Sequence, residues 1–441
     1  MLSSRSWYPA LACLALSALG PAQTAGSKAT VHHQRIADSS SRISAEVIEA
    51  EKALDQRDYA RAKKLLLAAT AASPQDARAW FDLGLAERGA QEMPSAIESL
   101  RKATTLKPDF FEANLDLGLS LAAADKGLEA INYLRAATKL KPSDPAAANE
   151  ALFTAWLALA KILQPGSPAE SLVAYQRAAE LHPKDFAVQL AWAQLLEKQN
   201  DFAAAEQRYE QALALQPHSG EALRGLVNVA LASKQSEKAE TALRSYLSVE
   251  PRDGQAHALL ARILRQQKRY DEAASELEAA QKLQPANGDI RRQIAGLAAE
   301  QQKYGVAEVQ YRELTKTSPQ DADLRYALGT VLMDERKFAE AEPELIAAVE
   351  LQPSLAEAYG NLATVAAENQ HYELSLRALE KRAQWLPENA GTYFLRATSY
   401  DHLRQFKQAS ENYRHFLELA NGLFPNQEWQ ARHRLIAIDH K

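Results

Sequence analysis

Ten prolines set the frame of this chain. Pro74, Pro108, Pro142, Pro183, Pro217, Pro251, Pro285, Pro319, Pro353 and Pro387 are 34 residues apart in eight of nine steps and 41 apart in the other. Proline lacks a backbone N–H and its ring clashes with the preceding helical turn, so it ends helices. A terminator with a fixed period marks a chain assembled from repeated supersecondary units rather than around one large core. The sequence is therefore numbered so that each proline is position 32 of its repeat.

In that register position 20 is Ala62, Ala96, Ala130, Ser171, Ala205, Ala239, Ala273, Ala307, Ala341, Ser375 and Ala409, small in every repeat. Position 24 is Leu or Tyr throughout, and position 8 is Gly or Ala except at Leu159 and Val227. Positions 4, 7, 8 and 11 lie on one face of a first helix, and 20, 24 and 27 on one face of a second. Two helices approach closely only where side chains are small, which explains positions 8 and 20. Position 34 is Asp76, Asp144, Asp185, Ser219, Asp253, Asn287, Asp321 or Asn389 in eight repeats. These are side chains that cap the next helix. Each repeat is a helix hairpin with its own start and stop signals.

The pattern resembles the tetratricopeptide repeat, whose unit has a small residue at position 8, alanine at 20 and 27, an aromatic or leucine at 24 and proline at 32. The second repeat shows it as Trp80, Leu83-Gly84, Ala96, Leu100, Ala103 and Pro108. The resemblance implies an all-α, right-handed superhelical solenoid. Eleven repeats span 43–423, with seven extra residues at 145–151, and 424–441 form a capping helix and tail, with Asn426 as its N-cap. Asp144 and Pro145 suggest that the fourth repeat's first helix starts early and runs to Leu163. Pro343, at position 22 inside a second helix, predicts a local kink or a late start.

Residues 1–25 have the layout of a secretory signal peptide: Arg5, an apolar run over 10–19, then Gly20-Pro21 and small residues, with cleavage near Ala22 or Ala25. The run is too short to span a bilayer of about 30 Å. An uncleaved N-terminal anchor is the alternative. Residues 26–42 read as a flexible leader. The only cysteine, Cys13, falls inside the apolar run, so a mature chain has none, which suits an oxidising compartment. These features place the chain outside the cytoplasm, periplasmic or secreted in a bacterial envelope, with no stable membrane span after cleavage.

Formal net charge is −5, a poor footprint for nucleic acid. No glycine-rich phosphate loop, GxSxG elbow or paired-histidine metal motif is present, so no enzyme, metal or cofactor is expected. The resemblance implies that first-helix positions 2, 5, 9 and 12 line a concave binding groove. Those positions give Phe81, Leu85, Leu115, Leu119, Phe153 and Trp156 early, then Arg224, Asn228, Arg262, Arg265 and Arg292, then Tyr326. An extended peptide with an apolar and an acidic segment matches that order, since arginine's planar fork suits carboxylates. The apolar set can equally pack between repeats, and the arginines can pair with surface Glu or Asp. The carboxylate clamp of chaperone-adaptor members fails here: after Arg224 and Asn228, the next repeat has Leu259, and the third Asp289 and Gln293. The chain reads as a scaffold for a protein or peptide partner. A regulatory subunit of a separately encoded glycosyltransferase or peptidase, and a self-associating solenoid, are the other readings.

Overall fold

The computed structural model describes residues 44–438. The segments read as a signal peptide and a leader, and the last three residues, lie outside them. Among the described residues there are twenty-three helices and no strand. They follow one another as eleven hairpins and a final single helix, a first helix such as Ala77–Gly89 packing on a second such as Met93–Leu106. The chain divides into two compact units, one ending at Leu195 and the other beginning at Leu196.

Local sequence explains the starts. Asp76, Ser219, Asp253, Asn287 and Asp321 each accept a backbone N–H of the helix they precede, and Asn389 forms a reciprocal capping box with Thr392. Asp185 accepts from the Val188 N–H at 2.9 Å. Asp144 does not cap a helix. Its carboxylate accepts from the Ala146 N–H, holding Pro145 to Ala147 in a turn, and the helix begins only at Ala148. The helix therefore starts early, at Ala148 rather than at the position-1 residue Leu152, and ends at Leu163 as expected, but it does not start at Pro145. The helix containing Pro343 begins at Phe338 and runs to Leu351, the register of its siblings, so there is no late start. Buried Ala341 and Leu345, on either side of the proline, hold it there.

The final helix is Pro425–Ile438, with Pro425 rather than an Asn426 cap at its start. Buried Glu428 does the capping instead. Its carboxylate accepts the Gly422 and Phe424 N–H groups at 2.7 and 3.3 Å. A carboxylate facing orphan N–H donors is favoured at a helix N-terminus.

The hairpin interior follows the steric argument. A Cβ built on Gly84, Gly118 or Gly329 at position 8 would stand 2.6 Å from the position-24 leucine, Leu100, Leu134 or Leu345. Where position 20 is serine, the hydroxyl is satisfied internally: Ser171 and Ser375 donate to the Ala160 and Ala363 carbonyls at 2.7 and 2.8 Å.

Three regularities were not visible in the residue pattern. First, position 15 is left-handed in ten of eleven hairpins: Arg57, Gln91, Asp125, Asn200, Lys234, Lys268, Gln302, Arg336, Gln370 and Arg404, with φ between 58° and 65°. In each, the next N–H reaches back five residues, as from Arg269 to the Leu264 carbonyl at 2.9 Å. This is the Schellman closure of a helix C-terminus. The fourth repeat closes differently, with the Gly166 and Ser167 N–H groups both donating to Leu163. Left-handed backbone at a residue with a Cβ costs about 1–2 kcal/mol, against about 0.4–1 kcal/mol for the extra unfolded-state freedom of glycine. Lys234→Gly and Lys268→Gly are therefore each expected to raise stability by about 0.5 kcal/mol. A lower urea midpoint in both variants would show that these turns carry no strain.

Second, position 4 donates to the carbonyl of the preceding proline six residues upstream. Trp80, Asn114, Gln189, His257, Arg291 and Arg325 make this bond to Pro74, Pro108, Pro183, Pro251, Pro285 and Pro319. Five chemically different side chains serve one geometric role.

Third, charged side chains join consecutive second helices. Arg101, Arg135, Arg244 and Arg312, all at position 25, reach Glu129, Glu170, Glu272 and Glu340 at position 19 of the next repeat. Glu240, Glu308 and Glu342 at position 21 pair with Arg269, Lys337 and His371 at position 16 of the next repeat. Lys63 and Glu92 make the same rung with charges exchanged. The exposed position-25 pairs are worth at most about 1 kcal/mol each, while the position-21 carboxylates are largely buried. Their repetition fixes the register between neighbours.

Candidate partner-binding face

The first helices of both compact units carry the candidate row. In the unit ending at Leu195, Phe81 is 8% exposed and its ring lies 5.0 Å from that of Phe110. Phe153 is equally buried and stacks on His182 at 4.2 Å. Leu85, Leu115, Leu119 and Trp156 are half-buried and pack on the same apolar cluster, which contains Leu100, Leu117 and Leu134. Most of the apolar surface of this set is already removed from water by neighbours in the chain. What remains is a partly exposed edge of leucine and indole.

In the unit beginning at Leu196 the row is polar. Arg265 lies across Gly296 and grips Glu300 through two hydrogen bonds of 2.9 and 2.6 Å. A Cβ on Gly296 would sit 3.4 Å from that guanidinium, so the missing side chain leaves room for it. The Arg265 guanidinium holds the Glu300 carboxyl below the usual carboxylate range. Arg292 donates to Asp321 at 2.9 Å. Asn228 donates to Glu197 at 3.2 Å, and the same carboxylate accepts the hydroxyl of buried Tyr209. Burial and that carboxylate push the Tyr209 hydroxyl pKa up. Tyr326 is half-buried against the core, and its carbonyl accepts the Thr330 hydroxyl at 2.9 Å.

Arg224 and Arg262 differ from the other two arginines. Both are exposed, and neither enters an ion pair among the described residues. Their guanidinium forks are free to take carboxylates from outside, in the bidentate geometry that makes Arg–carboxylate bonds strong. Sequence reasoning placed four arginines on this row without separating the two that are spent on Glu300 and Asp321. It also passed over Asn361, whose carboxamide donates to Thr330 at 2.9 Å and ties neighbouring first helices together along the row. Among the described residues no group of three or more His, Cys, Asp or Glu is placed to hold a metal ion. No helix among them is long and apolar enough to cross a membrane.

Three models of the tetratricopeptide repeat match the chain, one over 49–110, 292–341 and 326–393, one over 196–263, and one over 254–287 and 390–422. No curated protein matches it. Among solved structures, yeast Tom70 is 15% identical, with 90% of this chain and 95% of that one covered and a TM-score of 0.32. Naa15/Naa10 bound to HypK-THB is 16% identical over 85% and 63%, TM-score 0.47. The C-terminal part of a TPR repeat-containing protein from Cytophaga hutchinsonii is 17% identical over 52% and 95%, TM-score 0.43. Likeness at this level transfers no partner and no activity. Stacked repeats of this type are in general non-catalytic scaffolds that offer extended surfaces for protein–protein interaction. With models of one family matching more than half of its residues, the chain belongs to the tetratricopeptide repeat family.

Proposed function

We propose that this chain is an exported, non-catalytic scaffold of the bacterial envelope that binds a protein or peptide partner along its first-helix row, in assembly, secretion or export. The observation that carries the reading is the pair of exposed, unspent guanidinia, Arg224 and Arg262, set among side chains already satisfied within the chain. An acidic segment of the partner supplies the carboxylates. The apolar edge offered by Leu85, Leu115, Leu119 and Trp156 supports a second, non-polar contact.

The test is affinity capture from an envelope extract with residues 26–441 as bait. Arg224→Glu with Arg262→Glu is expected to abolish capture of the partner. Arg265→Gln with Arg292→Gln, which alters residues already engaged internally, is expected to weaken it by less than about threefold, below 1 kcal/mol. Equal capture by all three baits would remove the two free arginines from the binding role. Export is checked separately, by an amino terminus of the secreted protein that follows Ala22 or Ala25.

A further inference from the structure

A pocket opens on the other helix layer, away from the first-helix row. Arg101, Thr104, Thr105 and Pro108 form one wall, Glu129, Asn132, Tyr133 and Ala136 the other, and Asn114 the base, around a volume of about 590 Å³. This is within the size range of small-molecule sites. Its origin lies in the position-4 regularity. Asn114 makes the bond to the Pro108 carbonyl at 3.0 Å that Trp80 makes to Pro74 one repeat earlier, also at 3.0 Å. A carboxamide stands where an indole stands in the preceding repeat, and it leaves space above it.

The chemistry of the walls narrows the occupant. Arg101 and Glu129 are bonded to each other at 3.1 Å, so the two charges offset and neither a strong anion nor a strong cation is selected. The Arg101 Nε is buried and has no hydrogen-bond partner; the carboxylate of exposed Glu98 lies 3.9 Å from it. A buried donor left in that state costs free energy, and a ligand acceptor would relieve it. The Thr104 and Thr105 hydroxyls both donate to the Arg101 carbonyl, at 3.0 and 2.7 Å, which leaves their lone pairs for donors from outside. Asn132 is exposed at the rim and adds a donor and an acceptor. Tyr133 adds an aromatic ring, and Pro108 and Ala136 small apolar surfaces.

We infer that this pocket between the second helices of the second and third repeats binds a neutral saccharide unit. Its groups alternate donor and acceptor around an aromatic wall with no net charge, which complements a ring carrying hydroxyls on its edges and C–H groups on its faces. An indole or other apolar side chain would leave the Arg101 Nε buried and unpaired. The pocket stands apart from the candidate row of first-helix residues.

Saturation-transfer NMR with the purified chain tests it, using maltotriose, cellotriose and chitotriose as probes. Saturation transfer to at least one of the three is expected. Asn114→Trp, which copies the preceding repeat and keeps the donor to Pro108, should fill the pocket and abolish it. Tyr133→Ala should weaken binding at least fivefold. No transfer to any of the three overturns the proposal, as does transfer that survives Asn114→Trp unchanged. If Asn114→Trp lowers the helical circular dichroism, Tyr133→Ala decides alone: undiminished binding overturns the site, and fivefold loss upholds it.

Discussion

Replacing Leu100 with alanine is expected to destabilise the second repeat by about 3–5 kcal/mol, and a methyl group added on the facing helix should restore part of the loss. Leu100 is fully buried, and its Cγ is the atom that a Cβ on Gly84 would meet at 2.6 Å. Leu100→Ala removes the side chain and leaves a cavity that the helix backbones close only in part. Gly84→Ala alone has two opposed effects. It gains about 1 kcal/mol of helix propensity. It forces a buried leucine out of its rotamer, at about 1–3 kcal/mol. In the double variant the new methyl enters the space that Leu100 vacates, so the cost falls below that of Leu100→Ala by about 1–2 kcal/mol. Amide exchange over 77–106 is the appropriate readout, because a repeat that contacts only its neighbours opens locally. Additive effects would mean that positions 8 and 24 do not share one volume.

Asp82 is expected to make the same repeat more stable in acid than in base. It is 2% exposed, and burial raises its pKa to about 8, with the nearby Glu51 carboxylate adding to the rise. Arg78 opposes this only weakly. Its guanidinium is engaged with Glu51 at 2.7 Å and lies 4.0 Å from Asp82. An unfolded aspartate titrates near 3.9. Between about pH 4 and about pH 8 the folded state therefore holds a proton that the unfolded state has lost. The stability that this proton supports is complete below pH 4 and is lost as pH rises through about 8. Asp82→Asn should keep the acid stability within about 1 kcal/mol and remove the decline, a gain on the order of 2–5 kcal/mol at pH 9. Urea midpoints at pH 5 and pH 9 compare the two proteins. A decline of equal size in both would show that Asp82 is not its source.

Asp82 also shows where sequence reading stops. Its place at position 6 was legible, but not that Glu51, in the preceding repeat, would claim the arginine four residues before it. The hairpins themselves were legible because their determinants are local: a proline at the end, a small residue at each close approach, an Asp, Ser or Asn at the start. Asp144 failed as a cap because the same carboxylate can close a tight turn, and the following Pro145 suits a turn as well as a helix start. The position-15 conformation left no trace in residue choice, since Arg57, Gln91 and Lys234 have no left-handed preference of their own. Backbone bonds from the next residue impose it. On the candidate face, the row could be read by position. Which arginines remain available depended on Glu300 and Asp321, 35 and 29 residues further along the chain.

The left-handed turns set a lower limit on how short the protein can be cut. Ten of the eleven hairpins carry about 1–2 kcal/mol of backbone strain at the tip whether or not they have neighbours. Packing within the hairpin, as of Leu100 on Gly84, offsets part of this strain, and the interfaces between repeats offset the rest. A fragment of one hairpin keeps the whole strain and only its internal packing against it. Each repeat added in the middle brings one strained tip and a full interface, so stability grows with length from a negative intercept. Truncation from either end should therefore be tolerated repeat by repeat until the stack reaches a few hairpins, and should then fail abruptly.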